Sequence, residues 1–174
     1  MSQDALANHR KGGAMDGLVR RRAESRAAVR RAEDLGLRVE YLGFMLAGEK
    51  YGVRIALVAE ILKPPPLTEV PRAPRYVKGI VSVRGRLVTV IDLRRRFRLK
   101  ESPADTRTRI LLVDRDDEQI GLWVDEVLQV YRLADSEIEP PQVLGGDQPA
   151  YVLGIGRPEN ELLLLLDLRA VLES

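Results

Sequence analysis

The sequence predicts an all-β fold of short strands, built as small barrels or a sandwich and preceded by a basic helical arm. Three observations support this: short alternating apolar segments, glycine-containing turns between them, and an internal repeat. Residues 76–94 read YVKGIVSVRGRLVTVIDLR, and residues 151–169 read YVLGIGRPENELLLLLDLR. In each copy an aspartate, Asp92 or Asp167, lies 16 residues after the opening tyrosine. Two copies at one spacing indicate a structural unit that is used twice.

The composition is that of a soluble globular protein. Of the 174 residues, 45% are hydrophobic and 31% are charged. The absence of cysteine excludes disulfides and thiolate metal sites and makes the cytosol the expected compartment. The longest aliphatic run, residues 162–166, is much shorter than the roughly 20 residues of a membrane helix. The first residues also lack the apolar core of a secretory signal.

The front of the chain is basic, whereas the rest is nearly neutral. Residues 1–40 hold nine Lys and Arg against six Asp and Glu, and residues 41–174 hold nineteen against twenty. We predict a disordered tail over 1–15, followed by a helix over 16–35 that Asp16 caps and Gly36 ends. Its thin apolar stripe favours an arm that projects from the body or docks lightly.

The first copy of the repeat covers about residues 41–97. Residues 56–62 fit either a helical turn or a strand, and the three prolines that follow, 64–66, end regular pairing. Asp92 is expected to cap a short basic turn. The predicted elements of this copy are strands at 42–46, 51–55, 79–83 and 87–91, with a hairpin turn at Arg84-Gly85-Arg86 and a helical turn at 93–97.

The second copy covers about residues 109–172 and carries an insertion of six residues in its long connection, because matching positions shift from an offset of 69 to one of 75. Each copy is close to the lower size limit of an independent core, about 50–60 residues, so the two copies should pack on each other and leave a groove. The predicted elements are strands at 110–113, 119–124 and 162–166 and a helical turn at 167–172.

Catalytic chemistry finds little support in the residue pattern. The single histidine, His9, lies in the predicted tail, and no nucleophile, phosphate-loop or metal-ligand motif is present. Asp92 and Asp167 occupy the same place in a repeat, so we interpret them as structural strand-end caps rather than an acid–base pair. The acidic turn 114–118 lacks the glycine and terminal glutamate of a calcium loop. We therefore expect no enzyme activity, metal or cofactor; a hydrolase that uses Asp92 or Asp167 is the rival hypothesis.

Two further features have a plain interpretation and a functional one. The basic run from Arg94 to Lys100 is expected to be a solvated face, because a nucleic-acid surface would contain more aromatic residues than Phe97 alone. Trp123 is expected to be half-buried, or else to anchor a partner. The alternative function is a nucleic-acid or nucleoid-binding module whose helical arm contacts phosphates.

Five ordered motifs resemble the CheW family of chemotaxis coupling proteins. They are YGVRI at 51–55, VAEI at 58–61, YVKGIVSVRG at 76–85, VIDLR at 90–94 and GLWVDEV at 121–127. The resemblance covers about residues 41–172 and leaves the arm, residues 1–40, outside it.

The resemblance implies two intertwined five-stranded SH3-like barrels that share a core. It also implies a non-catalytic adaptor that couples the cytoplasmic tip of a methyl-accepting chemoreceptor to the regulatory domain of a CheA-type histidine kinase. Such a protein would be cytoplasmic and associated with membrane or cytosolic chemoreceptor arrays, with no small-molecule substrate and no membrane insertion. Flagellar chemotaxis, surface motility and development all remain open as the output.

The resemblance also implies a set of contact residues for receptor and kinase. Glu60 and Arg84 match a family ion pair. A groove lined by apolar side chains is expected to hold an amphipathic helix, and two glycines are expected to permit close backbone approach. The contact residues matched by position or by this groove are Val58, Glu60, Ile61, Gly79, Arg84, Gly121 and Val130.

Overall fold

The computed structural model describes residues 17, 19–24, 26–27 and 37–173. The chain divides into two units, residues 1–37 and residues 38–174. In the first unit, residues 17, 19–24 and 26–27 are helical. The predicted tail and both predicted helix ends, Asp16 and Gly36, lie outside the described residues.

The second unit is built almost entirely of strands. A hairpin opens each copy of the repeat, and one short helical turn closes each copy, at Leu93–Arg96 and at Leu168–Leu172. The strands are β1 (Val39–Leu46), β2 (Glu49–Arg54), β3 (Val58–Leu62), β4 (Val77–Val83), β5 (Arg86–Asp92), β6 (Arg109–Arg115), β7 (Glu118–Val124), β8 (Glu126–Leu133), β9 (Ile138–Glu139), β10 (Val152–Gly156) and β11 (Leu163–Leu166).

The strands form two sheets, and each sheet takes strands from both copies. Sheet 1 has the order β8-β1-β2-β11-β10-β9, and sheet 2 has the order β3-β6-β7-β5-β4. In each sheet the first hairpin of one copy is flanked by the later strands of the other. The two sheets therefore do not coincide with the sequence copies at 41–97 and 109–172.

The pairing details repeat along with the strand order. In sheet 1, β11 runs parallel to β2, and in sheet 2, β5 runs parallel to β7. The register shift at Val77/Gly79 between β4 and β5 recurs at Val152/Gly154 between β10 and β11. The sequence repeat is thus a repeat of strand geometry, including its irregularities.

Backbone pairing beyond the main strands curls each sheet towards a barrel. Thr68, which follows β3, exchanges two backbone hydrogen bonds with Ile80 of β4, with N–O distances of 2.9 and 2.8 Å. In sheet 1, β9 follows β8 after one 3₁₀ turn and pairs with β10. In both sheets the chain that continues from one edge strand, β3 or β8, thus pairs at the opposite side of the sheet, with β4 or with β10.

The apolar residues form one shared core and a separate interior for each sheet. Residues of β6 alternate between them: Ile110 and Leu112 pack inside sheet 2, whereas Leu111 and Val113 pack in the shared core. A strand that is buried on both faces appears in the sequence as an unbroken apolar run. The shared core holds seventeen buried residues from both sheets and both helical turns, so neither copy has a complete core of its own.

A line of aromatic rings runs through the shared core. Tyr51 stacks on Phe44 with ring centroids 6.0 Å apart and contacts Phe97 at 5.8 Å, and Phe97 stacks on Tyr151 at 4.3 Å. Burial is the main cause that raises the pKa of both tyrosines above its usual value. Both phenols therefore remain neutral throughout the neutral pH range.

The all-β prediction is confirmed, with three local differences. Residues 56–62 are neither wholly helical nor wholly strand, because a 3₁₀ turn at Ile55–Leu57 leads into β3. The last strand begins at Leu163, and Leu162 is 44% exposed. Trp123 is buried rather than half-buried, because the interior of sheet 2 surrounds its ring and Lys78 Nζ lies 4.3 Å from its centroid.

Candidate docking surface

Glu60 and Arg84 meet across the open edges of sheet 2. Glu60 lies on the edge strand β3, and Arg84 lies in the turn between β4 and β5. Arg84 Nη2 donates to Glu60 Oε1 at 2.6 Å and to Oε2 at 2.7 Å. Because β3 and β4 are the two edge strands of sheet 2, the pair joins the hairpin tip to the opposite edge.

The backbone of the hairpin holds Arg84 in a fixed place. Val83 pairs with Arg86, so the turn has two central residues, Arg84 and Gly85, with φ of 49° and 78°. Positive φ at both positions is the geometry of a type I′ hairpin, which matches the twist of the strands. The Arg84 side chain is 71% exposed and that of Glu60 32%. Solvent screens such a pair, so it stabilises the fold little and remains available to a partner.

Two apolar residues of the predicted groove are exposed on edge strands. Ile61 on β3 is 43% exposed, and Val130 on β8 is 40% exposed. They are 69 positions apart and occupy equivalent places in the two copies, so one belongs to sheet 2 and the other to sheet 1. Val58 is half-buried and packs against the shared core. The apolar part of the predicted surface is thus divided between the two sheets.

The two predicted contact glycines have neighbours inside the molecule. A Cβ at Gly79 would lie 2.6 Å from the Thr68 carbonyl oxygen. Gly121 is buried in β7, where a Cβ would lie 2.8 Å from Ile110 Cγ2. Both distances are below normal van der Waals contact, so the packing of sheet 2 itself requires glycine at these positions.

The first three arginines of the basic run after Asp92 are engaged within the protein. Arg94 and Arg95 contact carboxylates, the first that of Asp125 and the second those of Asp92 and Glu101. The hydrogen bond from Arg95 is the main cause that lowers the pKa of Glu101. Arg96 instead donates to the main-chain oxygens of Val171 and Glu173, at 2.8 and 2.5 Å. The expectation of a solvated face is wrong for these three arginines, which fasten the first helical turn to its surroundings, whereas Arg98 and Lys100 are exposed.

Asp92 and Asp167 sit at the start of the two helical turns. Asp92 Oδ1 accepts from the backbone N–H of Arg94 at 3.0 Å, and Asp167 Oδ1 accepts from that of Arg169 at 3.0 Å. Their own N–H groups donate to Tyr76 and Tyr151, both at 2.8 Å. Each carboxylate therefore caps the helical turn of its own copy.

A cleft of about 630 Å³ lies beside the β1–β2 turn. Leu144 and Gln148, from the long connection before β10, form part of its wall together with Tyr51 and Leu162. Lys50 and Glu161 also line it and form an ion pair, whose hydrogen bond raises the pKa of Lys50. Glu49, which also lines the cleft, accepts a hydrogen bond from the Tyr51 hydroxyl. Because these charged side chains are engaged within the protein, we assign no ligand to the cleft.

Sequence reasoning missed Asp125, which lies between β7 and β8. Arg94 Nε donates to Asp125 Oδ1 at 2.8 Å and Arg94 Nη2 to Oδ2 at 2.5 Å. This pairing is the main cause that raises the pKa of Arg94. The sequence offers one signal for it. The equivalent position in the first copy, 69 residues earlier, is Ala56, so the repeat itself does not account for an aspartate at 125.

Among residues 37–173 and the described part of the arm, no group of three or more metal-binding side chains comes together. Within the same residues, no helix is both long and apolar enough to span a bilayer. What the described surface offers is an ion-paired hairpin tip and exposed apolar side chains on edge strands. These features fit a protein-interaction module.

The chain belongs to the CheW-like family. The family model described as a CheW-like domain matches residues 40–174. The chain is 30% identical over 153 residues to the chemotaxis protein CheW of Helicobacter pylori, covering 88% of this chain and 93% of that protein. It is 35% identical over 132 residues to the CheW of Bacillus subtilis, covering 75% of this chain and 85% of that one.

A solved structure shows the same fold. The crystal structure of the scaffolding protein TtCheW from Thermoanaerobacter tengcongensis matches with a TM-score of 0.73 and 30% identity, covering 79% of this chain and 94% of that one. With the strand order above, this likeness confirms the prediction of two SH3-like barrels that share a core.

Proposed function

We propose that this chain is a non-catalytic signalling adaptor that couples a methyl-accepting chemoreceptor to a CheA-type histidine kinase. The CheW-like family assignment and the likeness to a scaffolding protein support the adaptor role. The partners are the cytoplasmic tip of the receptor and the regulatory domain of the kinase. The protein works in the cytoplasm at chemoreceptor arrays, and the output that it controls depends on the receptor and kinase that it joins.

The observation that carries the proposal is the surface around Glu60 and Arg84. It combines an exposed charged pair with Ile61 on the same edge strand, and Val130 presents a matching apolar side chain on sheet 1. An amphipathic helix offers apolar side chains at regular spacing with charges beside them, which suits such a surface. A receptor tip made of a helical hairpin presents that kind of helix.

Within the proposal, the predicted contact residues have two roles. Glu60, Ile61, Arg84 and Val130 meet the partner directly, with Val58 supporting them from the shared core. Gly79 and Gly121 act by letting sheet 2 pack closely beneath the surface. The adaptor body is residues 41–174, and the basic arm, residues 1–40, is a separate part of the chain.

Binding at several weak contacts suits a protein that assembles an array. Surface pairs such as Glu60–Arg84 contribute little singly, about 0–1 kcal/mol. Once receptor and kinase are held together by one adaptor, the second contact becomes intramolecular and its effective concentration rises. Nothing in the comparisons supports the nucleic-acid alternative, and in the basic run after Asp92 the side chains of Arg94, Arg95 and Arg96 are engaged within the protein.

Charge reversal at the hairpin tip tests the proposal. We expect Arg84→Glu to weaken binding of a receptor-tip fragment about tenfold, or ~1.4 kcal/mol, the scale of an interface residue that matters. Adding Glu60→Arg should recover part of the loss, because opposite charges again face each other. Titration calorimetry with the receptor fragment, with and without the kinase regulatory domain, measures both effects.

Arg86→Glu is the matched control, because Arg86 is exposed in the same hairpin and makes no ion pair within residues 37–173. It changes the charge by the same amount. The assignment of this surface is wrong if Arg84→Glu binds the receptor fragment as tightly as the wild type does. It is also wrong if Arg84→Glu and Arg86→Glu bind the fragment with equal affinity.

A further inference from the structure

The chain crosses from sheet 2 to sheet 1 at a single residue, Asp125, which separates β7 from β8. Its backbone N–H donates to the carbonyl of Met45 at 3.1 Å, and its Oδ2 accepts from the N–H of Ala47 at 2.8 Å. Both partners belong to the end of β1 and the turn after it, in sheet 1. The same carboxylate is held from the other side by Arg94, which follows β5 of sheet 2.

Asp125 thus fastens the crossing point to both sheets at once. Both Arg94 nitrogens that face it, Nε and Nη2, donate to it, one to each oxygen. Arg94 Nη1 also donates to the carbonyl of Lys100 at 2.6 Å, which fixes the guanidinium in place. The two side chains are only 16% and 26% exposed, so solvent weakens this two-pronged pair less than a surface pair.

The other crossing has no aspartate in the equivalent place. Between β2 and β3 the chain passes from sheet 1 to sheet 2 through Ile55–Leu57, and Ala56 stands where the second copy has Asp125. The counterpart of Arg94 in the repeat is Arg169, which is exposed and forms no ion pair within the described chain. The link is therefore a property of one crossing, not of the fold in general.

We propose that Arg94 and Asp125 are positioning residues, which fix the orientation of sheet 1 against sheet 2 and thereby the spacing of the docking surface. Strand β8 begins directly after Asp125 and carries Val130, whereas Glu60, Ile61 and Arg84 belong to sheet 2. A change of angle at the crossing moves Val130 relative to the other three. The consequence for binding rests on the function proposed above.

The distance between the two sheets can be measured in the protein alone, without any binding partner. The chain has no cysteine, so spin labels can be placed on Glu118→Cys in sheet 2 and Leu153→Cys in sheet 1, both exposed positions. Two variants break the link. Asp125→Asn keeps an oxygen for the Ala47 N–H but removes the charge, and Arg94→Met removes the guanidinium. Arg169→Met is the matched control.

We expect a broader or shifted label distance in both variants, with circular dichroism unchanged at 25 °C, and an unchanged distance in Arg169→Met. Receptor-fragment binding should fall about three- to tenfold, which lies within the range of coupling that residues remote from a ligand provide. The double variant should be no worse than the stronger single one, because both act on one link.

The outcomes separate the two proposals. Unchanged label distances in both variants overturn the positioning role, whatever happens to binding. A changed distance in a protein whose wild type fails to bind the receptor fragment overturns the proposed partner and leaves the link established. If Arg94→Met fails to fold, Asp125→Asn alone decides, because it keeps the backbone contacts of the crossing.

Discussion

Two glycines at equivalent positions are required by contacts within the protein. A Cβ at Gly79 would meet the Thr68 carbonyl oxygen at 2.6 Å, and a Cβ at Gly154 would meet the Glu139 carbonyl oxygen at 3.0 Å. In both copies the chain that follows the third strand, β3 or β8, passes over this residue with its backbone. The Tyr-Val-x-Gly-Ile pattern is therefore repeated because both sheets need the same close approach.

We expect Gly79→Ala to destabilise the fold by about 1–3 kcal/mol, as overpacking against an atom that cannot move aside does. Urea unfolding followed by circular dichroism measures the change. Gly85→Ala is the control, because a Cβ added at Gly85 would have no atom within 4 Å, and the φ of this residue is 78°. It should lose only the cost of positive φ, roughly 1 kcal/mol. Equal losses in the two variants would remove the steric explanation.

At the residue scale the sequence predicts contacts between nearby residues better than anything that depends on distant ones. Asp92 is recognisable as a cap from its place after an apolar strand, because capping is a local interaction. Asp125 escapes sequence reasoning because Arg94 is 31 residues away, and no local pattern joins them. The alternation around Trp123 predicts half burial, yet sheet 2 encloses the ring.

At the scale of elements, each copy ends in a helical turn that begins at an aspartate. Asp92 is 4% exposed and also lies 3.4 Å from Lys78 Nζ, whereas Asp167 is half-buried and has no ion pair within the described chain. The two caps have the same hydrogen-bond geometry but differ in burial and in ion pairing. This makes them a matched pair for measuring what burial adds to a cap.

We expect Asp167→Ala to cost about 1 kcal/mol of unfolding free energy, the usual value of an N-cap. Asp92→Ala should cost about 2 kcal/mol, because it also leaves the partly buried Lys78 without its partner. Chemical denaturation of the two variants side by side measures the difference. Asp92→Asn retains an oxygen acceptor for the cap and should lie between the wild type and Asp92→Ala; a larger loss in Asp167→Ala would contradict this account.

Hairpins are predictable from sequence because their turns are local. Ala47-Gly48 and Arg84-Gly85 both have positive φ at both central residues, and glycine in the second position marks each turn. Strand ends are predicted less well, as Leu162 shows, because an end depends on the neighbouring strand. Residues 56–62 are ambiguous in sequence since a 3₁₀ turn and a strand share that short stretch.

At the scale of the whole molecule, the exchange of strands between copies follows from connection length. In the observed sheets a third strand pairs antiparallel with a first strand, which is also antiparallel to its own second strand. If the third strand of a copy took this place in its own sheet, it would therefore run parallel to the second strand of that copy. Two consecutive strands that run parallel in one sheet need a crossover connection of about a dozen residues or more. Only Ile55–Leu57 separates β2 from β3, and only Asp125 separates β7 from β8. Each third strand therefore runs on into the other sheet.

The repeat alone does not reveal this exchange, because a copy that closes on itself and a copy that exchanges strands have the same apolar pattern. The strand order is a long-range property, and it enters the prediction only through the family resemblance. With the order known, the short connections exclude the self-closed barrel on physical grounds.

The exchange predicts that neither copy folds alone as a monomer. A fragment of residues 1–103 would hold β1 and β2 without β8 and β11, and residues 104–174 would hold β6 and β7 without β3 and β5. The shared core takes residues from both fragments, so each would expose a large apolar surface. We expect no cooperative thermal unfolding from either fragment at low concentration, and a folded complex when the two are mixed in equal amounts.

The cut between Pro103 and Ala104 is suited to this test, because both residues are exposed in the loop before β6 and no strand is interrupted. A full chain carrying a protease site there is the control, and its cleaved halves should elute together in size-exclusion chromatography. A fragment that folds only as concentration rises has paired with a second copy of itself, which the matching strand orders permit. A cooperative, concentration-independent transition in either isolated fragment would show that one copy can close its own barrel, and the exchanged arrangement would then not be what holds the molecule together.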